Sequence, residues 1–256
     1  MALPIIIWEN RLSSTTSLTP TDTDSDPAYN VANLYDFRPY TRWKAASSGS
    51  KSISAAWASA VTVDSIAIVG HNLATVSADI YVDYVAAPWT QHFGPFTPSE
   101  DEAPVVIQFE SQSKTGWRIR LDNCTAAPSV GVILIGQKLE FQRYVSEPYD
   151  PFGERVVAEQ AISETGELLG STFKYREHNI SAQWGRLTEA WVRATFLPVW
   201  ENHLSRLRPF VWAWNPASTW EQQAFYVALQ PGAALQTPYD PIRQSLSLQM
   251  RGVHRP

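Results

Sequence analysis

From Ser52 to Asp122 the chain keeps returning to a period of two. Ile53, Ala55 and Trp57 alternate with Ser52, Ser54 and Ala56. Ile80, Val82 and Tyr84 alternate with Asp79, Tyr81 and Asp83, and Trp117, Ile119 and Leu121 alternate with Arg118, Arg120 and Asp122. Val105, Ile107 and Phe109 repeat the pattern, as do Ile66 and Ile68 within Val63–Gly70. Successive side chains of a strand point to opposite faces, so this spacing demands strands with one buried and one wet face. Val130–Ile135 is nearly continuous apolar and predicts a fully buried strand, with Leu139 and Phe141 leading towards a last one. About eight short strands separated by turn signals predict a β-sandwich.

Composition agrees with a globular β protein. Of the 256 residues 44% are hydrophobic and 18% charged, which excludes a disordered chain. Eleven tryptophans and eighteen prolines fit strands with Pro-rich connections. A formal charge of −5 argues against a nucleic-acid partner, which needs a basic stripe. The single cysteine, Cys124, excludes an intrachain disulfide and a multi-Cys metal site. Met1-Ala2-Leu3-Pro4 lacks the basic start and apolar core of a signal peptide, and no run reaches the ~18 apolar residues that a membrane helix needs. A soluble product made in the cytoplasm is expected.

Ahead of the alternating strands, Asn33–Lys44 packs several constraints into one short stretch. Asp36 and Thr41 suit a tight loop, Pro39 pushes Arg38 towards an extended conformation, and Trp43 is placed to plug a core. This stretch resembles the opening loop of discoidin-type domains (the galactose-binding-like, coagulation-factor C-type fold), where Asn-Leu-x-Asp precedes Thr-x-Trp. Ser52–Trp57, Val63–Asn72 with its His71-Asn72 end, Gly116–Leu121 and Val130–Leu139 are similar to later strands of that family, in the same order. The resemblance runs from about Asn30 to Phe141 and implies a discoidin-like jelly-roll β-sandwich over residues 1–145. Trp43, Trp57 and Trp117 are expected in its core.

Val145–Gly153 carries two prolines and predicts a linker over 146–153. Beyond it, strands are expected over Glu154–Ile162 and Leu168–Trp184, with a turn at Thr165-Gly166. Thr188 is placed to cap a helix in which Leu197, Trp200, Leu204 and Leu207 share a face, with a kink or restart at Pro198. Phe210–Trp214, Phe225–Leu229 and Gln244–Gly252 read as further strands. Residues 154–256 therefore predict a small β-sandwich or split barrel with one packed α-helix, and the whole chain is mainly β. That order resembles the ring-forming domain of tail-tube and distal tail proteins of long-tailed bacteriophages. The resemblance is carried by Thr188–Arg206, Pro209–Pro216, Ala224–Gln230 and Ser245–Val253.

Catalytic chemistry leaves little trace. None of the five histidines is paired at a metal spacing, and His203 is expected exposed on the helix. There is no Gly-x-Ser-x-Gly elbow or phosphate-cradling glycine loop. Asp22-Thr23-Asp24-Ser25-Asp26 looks briefly like a calcium loop, but Pro27 and Asn33 stand where an EF-hand needs Gly and Glu. Glu100-Asp101-Glu102 reads as a solvated loop. No cofactor, no metal and no enzymatic activity are expected; a glycan-active enzyme is the weakest alternative.

The aromatic residues are more informative. Tyr35, Arg38 and Tyr40 in the opening loop, and Trp89, His92 and Phe93 in a Pro-bounded loop, are candidate glycan contacts, because ring faces stack on sugars while Arg and Asp hold hydroxyls. Core or subunit contact is the competing role for such rings. Trp212, Trp214 and Trp220 are candidate oligomer contacts, since a domain of this size cannot bury every large ring it carries. The two resemblances together imply a virion protein at the phage tail tip: a homohexameric ring that meets tail-tube and tail-hub proteins, with its sandwich outward and open to host glycans. The alternative is a carbohydrate-binding protein acting through the discoidin-like domain.

Overall fold

The computed structural model describes residues 2–85, 89–217, 223–232 and 244–254. The chain is mainly β and antiparallel. Its strands are β1 (Ile5–Ile7), β2 (Ser17–Pro20), β3 (Trp43–Lys44), β4 (Lys51–His71), β5 (Asp79–Val85), β6 (Trp89–Phe96) and β7 (Val105–Asp122). They continue with β8 (Ser129–Gly136), β9 (Lys138–Glu140), β10 (Glu154–Ile162), β11 (Leu168–Leu187), β12 (Phe210–Ala213), β13 (Ala224–Leu229) and β14 (Gln244–His254). Among the described residues no helix is long and apolar enough to cross a membrane.

Two compact units emerge, and the chain passes between them more than once. The first is Met1–Glu140 with Phe210–Phe225; the second is Phe141–Pro209 with Tyr226–Pro256. The division expected at 146–153 is therefore corrected in two ways. Phe210–Ala213 belongs with the first unit, because Val211, Trp212 and Ala213 pair with Ile7, Ile6 and Ile5. The expected linker is itself tied to β11 of the second unit: Ser146 N–H donates to Gln183 O, and Asn179 N–H donates to Gly153 O at 2.8 Å.

In the first unit the strand order is β3-β8-β4-β7-β5-β6, with β2 on β4. β4 and β7 are long and pair along both of their halves. Lys51–Ala56 of β4 pairs with Gly116–Leu121 of β7, and Ser65–Ile68 pairs with Val105–Gln108. Irregularities between Ala56 and Val61 and between Val63 and Ser65 separate those halves and bend the pair. The Ser65 hydroxyl, buried at this bend, donates to Gly136 O at 3.2 Å and is so satisfied by β8. The alternating side chains Ile53, Ala55, Trp57, Ile66, Ile68, Ile80, Val82, Ile107, Trp117, Ile119 and Leu121 close on one core, together with Trp43.

β8 is buried along its whole length because both of its faces are covered. Ile133 and Ile135 enter the core, while Val132 and Leu134 are buried outside that cluster. β1, paired with β9 and β12, lies against β4 and β8.

The opening loop closes over this sandwich by the chemistry its residues suggest. Asp36 accepts from Arg38 N–H at 2.7 Å and from the Thr41 hydroxyl at 2.6 Å. Trp43 is fully buried, and its indole N–H donates to Thr23 Oγ1. Pro39 O sits so close to Gly70 and Gly131 that a Cβ on either would come within 2.5 and 2.8 Å of it. Glycine is required at both positions by this approach, and at Gly70 by a φ of +67° as well.

In the second unit β10, β11, β14 and β13 follow one another in the sheet. Phe141 stacks on Trp184 with ring centroids 4.0 Å apart, and the helical segment brings Phe196 to this pair. Thr188 caps that segment by accepting from Trp191 N–H. The segment is helical over Glu189–Trp191, widens to a π turn over Val192–Phe196, and resumes as an α-helix over Leu197–Asn202. Pro198 accounts for the wide turn: it has no N–H to donate, and its ring would strike the carbonyl one turn back. The turn also shifts the buried face. Val192, Phe196, Val199 and Leu204 are buried, and Leu207 is exposed. His203, expected exposed, is buried, with Nε2 2.9 Å from Pro209 O. Burial pulls its pKa down to about 4.

Candidate functional site

The outward positions of β5, β6 and β7 form a dense polar and aromatic array in the first unit. The register places Asp83 opposite Arg118, Tyr81 opposite Arg120, and Asp79 opposite Asp122; on the other side of β5, Gln91 stands opposite Asp83 and Trp89 opposite Val85. Ile80, Val82, Trp117, Ile119 and Leu121 point inward, so their sequence neighbours point out.

Asp83 lies at the centre, with its side chain 1% exposed. Its Oδ2 accepts from Arg118 Nε at 2.8 Å and pairs with Arg118 Nη2 at 2.6 Å, and Arg120 Nε stands 3.5 Å away. Asp83 Oδ1 and Arg120 Nε are buried without a hydrogen-bond partner among the described residues. Arg120 also pairs with Asp122 through Nη1 and donates to Gln91 Oε1 at 3.3 Å. Both guanidiniums lie on aromatic rings: Arg118 is 4.8 Å from the Trp89 ring centre and Arg120 is 4.2 Å from that of Tyr81. Arg118 and Arg120 face three carboxylates, Asp79, Asp83 and Asp122, so the array carries no excess positive charge. The array presents guanidinium donors, a carboxylate acceptor with spare capacity and two ring systems, which suits a neutral polyhydroxylated ligand.

The candidate glycan contacts do not come together. Trp89 belongs to this array. His92 and Phe93 turn inward instead: His92 meets the edges of Tyr84 and Phe109, and Phe93 packs against the core. A register shift between Val82 and Asp83 separates Phe93 and Gln91 at the point where His92 falls. Arg38 and Tyr40 are exposed on the opening loop, while Tyr35 packs against the core. That loop leads into β3, at the opposite end of the strand order from β6. Trp57 and Trp117 are buried, as Trp43 is.

Of the candidate oligomer contacts, Trp212 is fully buried on β12 and offers no surface to a partner. Trp214 is half-buried, also in the first unit, and Trp220 lies outside the described residues.

The acidic stretches hold loops. Asp22 pairs with Lys51 at 2.7 Å and Asp24 with Lys44 at 3.2 Å, while Asp26 caps Pro27–Tyr29. Asp24 is held below the usual carboxylate range, first by the Asp26 N–H and then by Lys44. Asp101 accepts from Ala74 and Thr75 N–H, and Glu102 pairs with Arg42 at 2.5 Å, so these two carboxylates anchor a stretch expected as a solvated loop, while Glu100 is exposed. His71 accepts from Leu73 N–H at Nδ1, so its Nε2 carries the proton donated to Ala103 O. Cys124 is buried, and burial raises its thiol pKa.

No protein-family model matches the chain, and no curated protein matches it. Among solved structures it is similar to a pectin-binding carbohydrate-binding module, at 19% identity over 48% of this chain and 91% of that one, with a TM-score of 0.41. It is similar to chitosan-binding module 1 of a chitosanase/glucanase from Paenibacillus sp. IK-5, at 16% identity over 50% of this chain and 99% of that one, with a TM-score of 0.41. A third is a CBM32 module from Clostridium perfringens, solved with GalNAc-β-1,3-galactose, at 9% identity over 47% of this chain and 94% of that one, with a TM-score of 0.42.

Proposed function

We propose that this chain is a carbohydrate-binding protein whose first unit holds a neutral glycan on the outward face of β5, β6 and β7. The observation that carries the reading is Asp83 Oδ1, a buried acceptor that no described residue satisfies, beneath two guanidiniums. An unpaired buried acceptor costs about 1–3 kcal/mol, and a ligand hydroxyl reaching between Arg118 and Arg120 would satisfy it. Trp89 and Tyr81 flank that position and would cover the apolar face of a sugar ring. With Asp79, Asp83 and Asp122 facing Arg118 and Arg120, the array has no surplus cation, which disfavours a strongly anionic ligand.

The test is a glycan array followed by titration calorimetry, with GalNAc-β-1,3-galactose among the neutral probes and anionic pectin and cationic chitosan oligosaccharides as charged contrasts. A neutral glycan should be retained, and Trp89→Ala should weaken its binding by at least about tenfold. A chain that retains no glycan, or one whose binding ignores Trp89→Ala, would overturn the proposal.

A second reading is structural: a subunit of a phage tail tip, assembled as a ring at the virion's distal tail, with the glycan-binding unit outward. The exposed apolar side chains of the β10–β11 hairpin favour assembly of some kind. Electron microscopy of the particle would decide it, since this reading requires the chain in a ring around the tail axis.

A further inference from the structure

β10 is the last strand in its sheet's order, and among the described residues it pairs only with β11. An open edge presents unpaired N–H and C=O groups to any other strand, and proteins blunt it with short strands, proline or bulges. Other edges in the described residues are blunted. β3 has two residues and β9 three, and β6 carries Pro95 and two register irregularities. β10 has nine residues and no proline, and its two register irregularities place the extra residues, Lys174 and Leu169, on β11. It is therefore a continuous, regular edge.

Its side chains are complementary to themselves. In an antiparallel pairing of two β10 strands about a two-fold axis at Val157, residue pairs sum to the same value along the strand. Arg155 then stands opposite Glu159 of the second copy, and Glu159 opposite its Arg155, on the face that holds Val157. On the other face Val156 meets Ala158 and Glu154 meets Gln160. No like charges are opposed. Arg155 and Glu159 are 71% and 70% exposed, and their own-chain partners are Glu177, 3.8 Å from Arg155, and Lys174, 2.7 Å from Glu159. The same pairing would bring the exposed Val156 and Phe173 of both copies onto one continuous sheet face, because Ala158 and Phe173 are opposite each other in the hairpin.

We infer that β10 is an isologous interface: a second copy of this chain adds its own β10 antiparallel to the first, centred on Val157. The contact is two-fold, unlike the head-to-tail contacts of a closed ring, and it does not depend on glycan binding. Opposite charges across the axis favour this register, and a register centred on Glu159 would set two carboxylates against each other.

Sedimentation of the full chain over a concentration series tests the contact. A dimer should form, and Arg155→Glu or Glu159→Arg alone should weaken it at least about tenfold by opposing like charges. The double exchange R155E/E159R should restore it to within about threefold, because the pairs are re-formed with reversed sign. Both positions are exposed, so circular dichroism should be unchanged in every variant. A chain that stays monomeric, a dimer indifferent to the single reversals, or one that the double exchange fails to restore would overturn the inference. A larger ring that ignores both charges would overturn it too, while leaving the tail-tip reading standing.

Discussion

The antiparallel pairs β4–β7 and β10–β11 are both long, yet one is the middle of a core and the other is exposed over much of its length. The difference is written in where their apolar residues fall. In β7 and the first half of β4 they occupy alternate positions, so one face is buried, while from Ser65 onward β4 is buried on both faces; the irregularities within the pair keep Ile53, Ala55, Ile66 and Ile68 turned to the same core. In β10 they fall on both faces, Val156 and Ile162 on one, Val157 and Ala161 on the other. No single covering layer can bury such a strand. β11 changes character along its length: from Ile180 onward Ile180, Ala182 and Trp184 alternate inward and are buried, while Leu168–Lys174 is exposed. Strand length thus says little about burial, whereas alternation says a great deal.

The largest expected effect is on the buried pair. Trp117 packs against Tyr84, His92 and Phe109, and stacks on Phe109 with centroids 5.5 Å apart. Trp117→Ala should cost about 3–5 kcal/mol by lost transfer energy and the cavity it leaves. Urea unfolding measures it. A loss under about 1 kcal/mol would mean that the first unit repacks freely, and the contrast between the two pairs would not rest on core contacts.

Acid should act on the second unit through His203. Its folded pKa is about 4, against an ordinary value of 6.5, so the unfolded chain binds a proton in that interval while the folded chain does not. Its contribution is therefore complete above pH 6.5 and declines as the pH falls towards 4, by about 3 kcal/mol in all. His203→Gln, which keeps a donor for Pro209 O, should flatten that slope. An unaltered slope in the variant would assign the acid sensitivity elsewhere. Glu177 acts lower on the scale: the Asn179 hydrogen bond and Arg251 hold its carboxyl below the usual range, so its contribution is lost only as the pH falls through that lowered value.

These positions show what the sequence makes legible. Alternation identifies the strands and names Trp57 and Trp117 as large side chains facing inward, and the constrained loop before them does the same for Trp43. It also marks Tyr81, Asp83, Arg118 and Arg120 as wet positions, but it does not say that Asp83 stands opposite Arg118. That fact is a matter of register between residues 35 apart in the chain, and local pattern carries no register. The same limit hides the pairing of Val211, Trp212 and Ala213 with Ile7, Ile6 and Ile5. His203 escapes the helical count for a different reason. The π turn before Pro198 takes up extra chain, and each residue of a helix rotates the face by about 100°, so a regular count assigns the wrong side.

The smallest expected effect falls on the hairpin and sharpens the comparison most. Leu169 and Ile162 are 69% and 62% exposed, and Leu169 is the extra residue at a β11 irregularity. Truncating either to alanine removes apolar area that is already largely in water, so little transfer energy is lost and no cavity forms. Leu169→Ala and Ile162→Ala should each change unfolding stability by less than about 0.5 kcal/mol in the dilute chain. The measurement is best repeated at high protein concentration. If β10 pairs with a second copy, Ile162 lies beyond the paired core of that contact, which ends near Gln160, and Leu169 lies on the strand behind it; both variants should remain near neutral there too. A cost above about 2 kcal/mol at low concentration would mean that something covers the hairpin within the single chain, and the contrast between the exposed and the buried pair would fail.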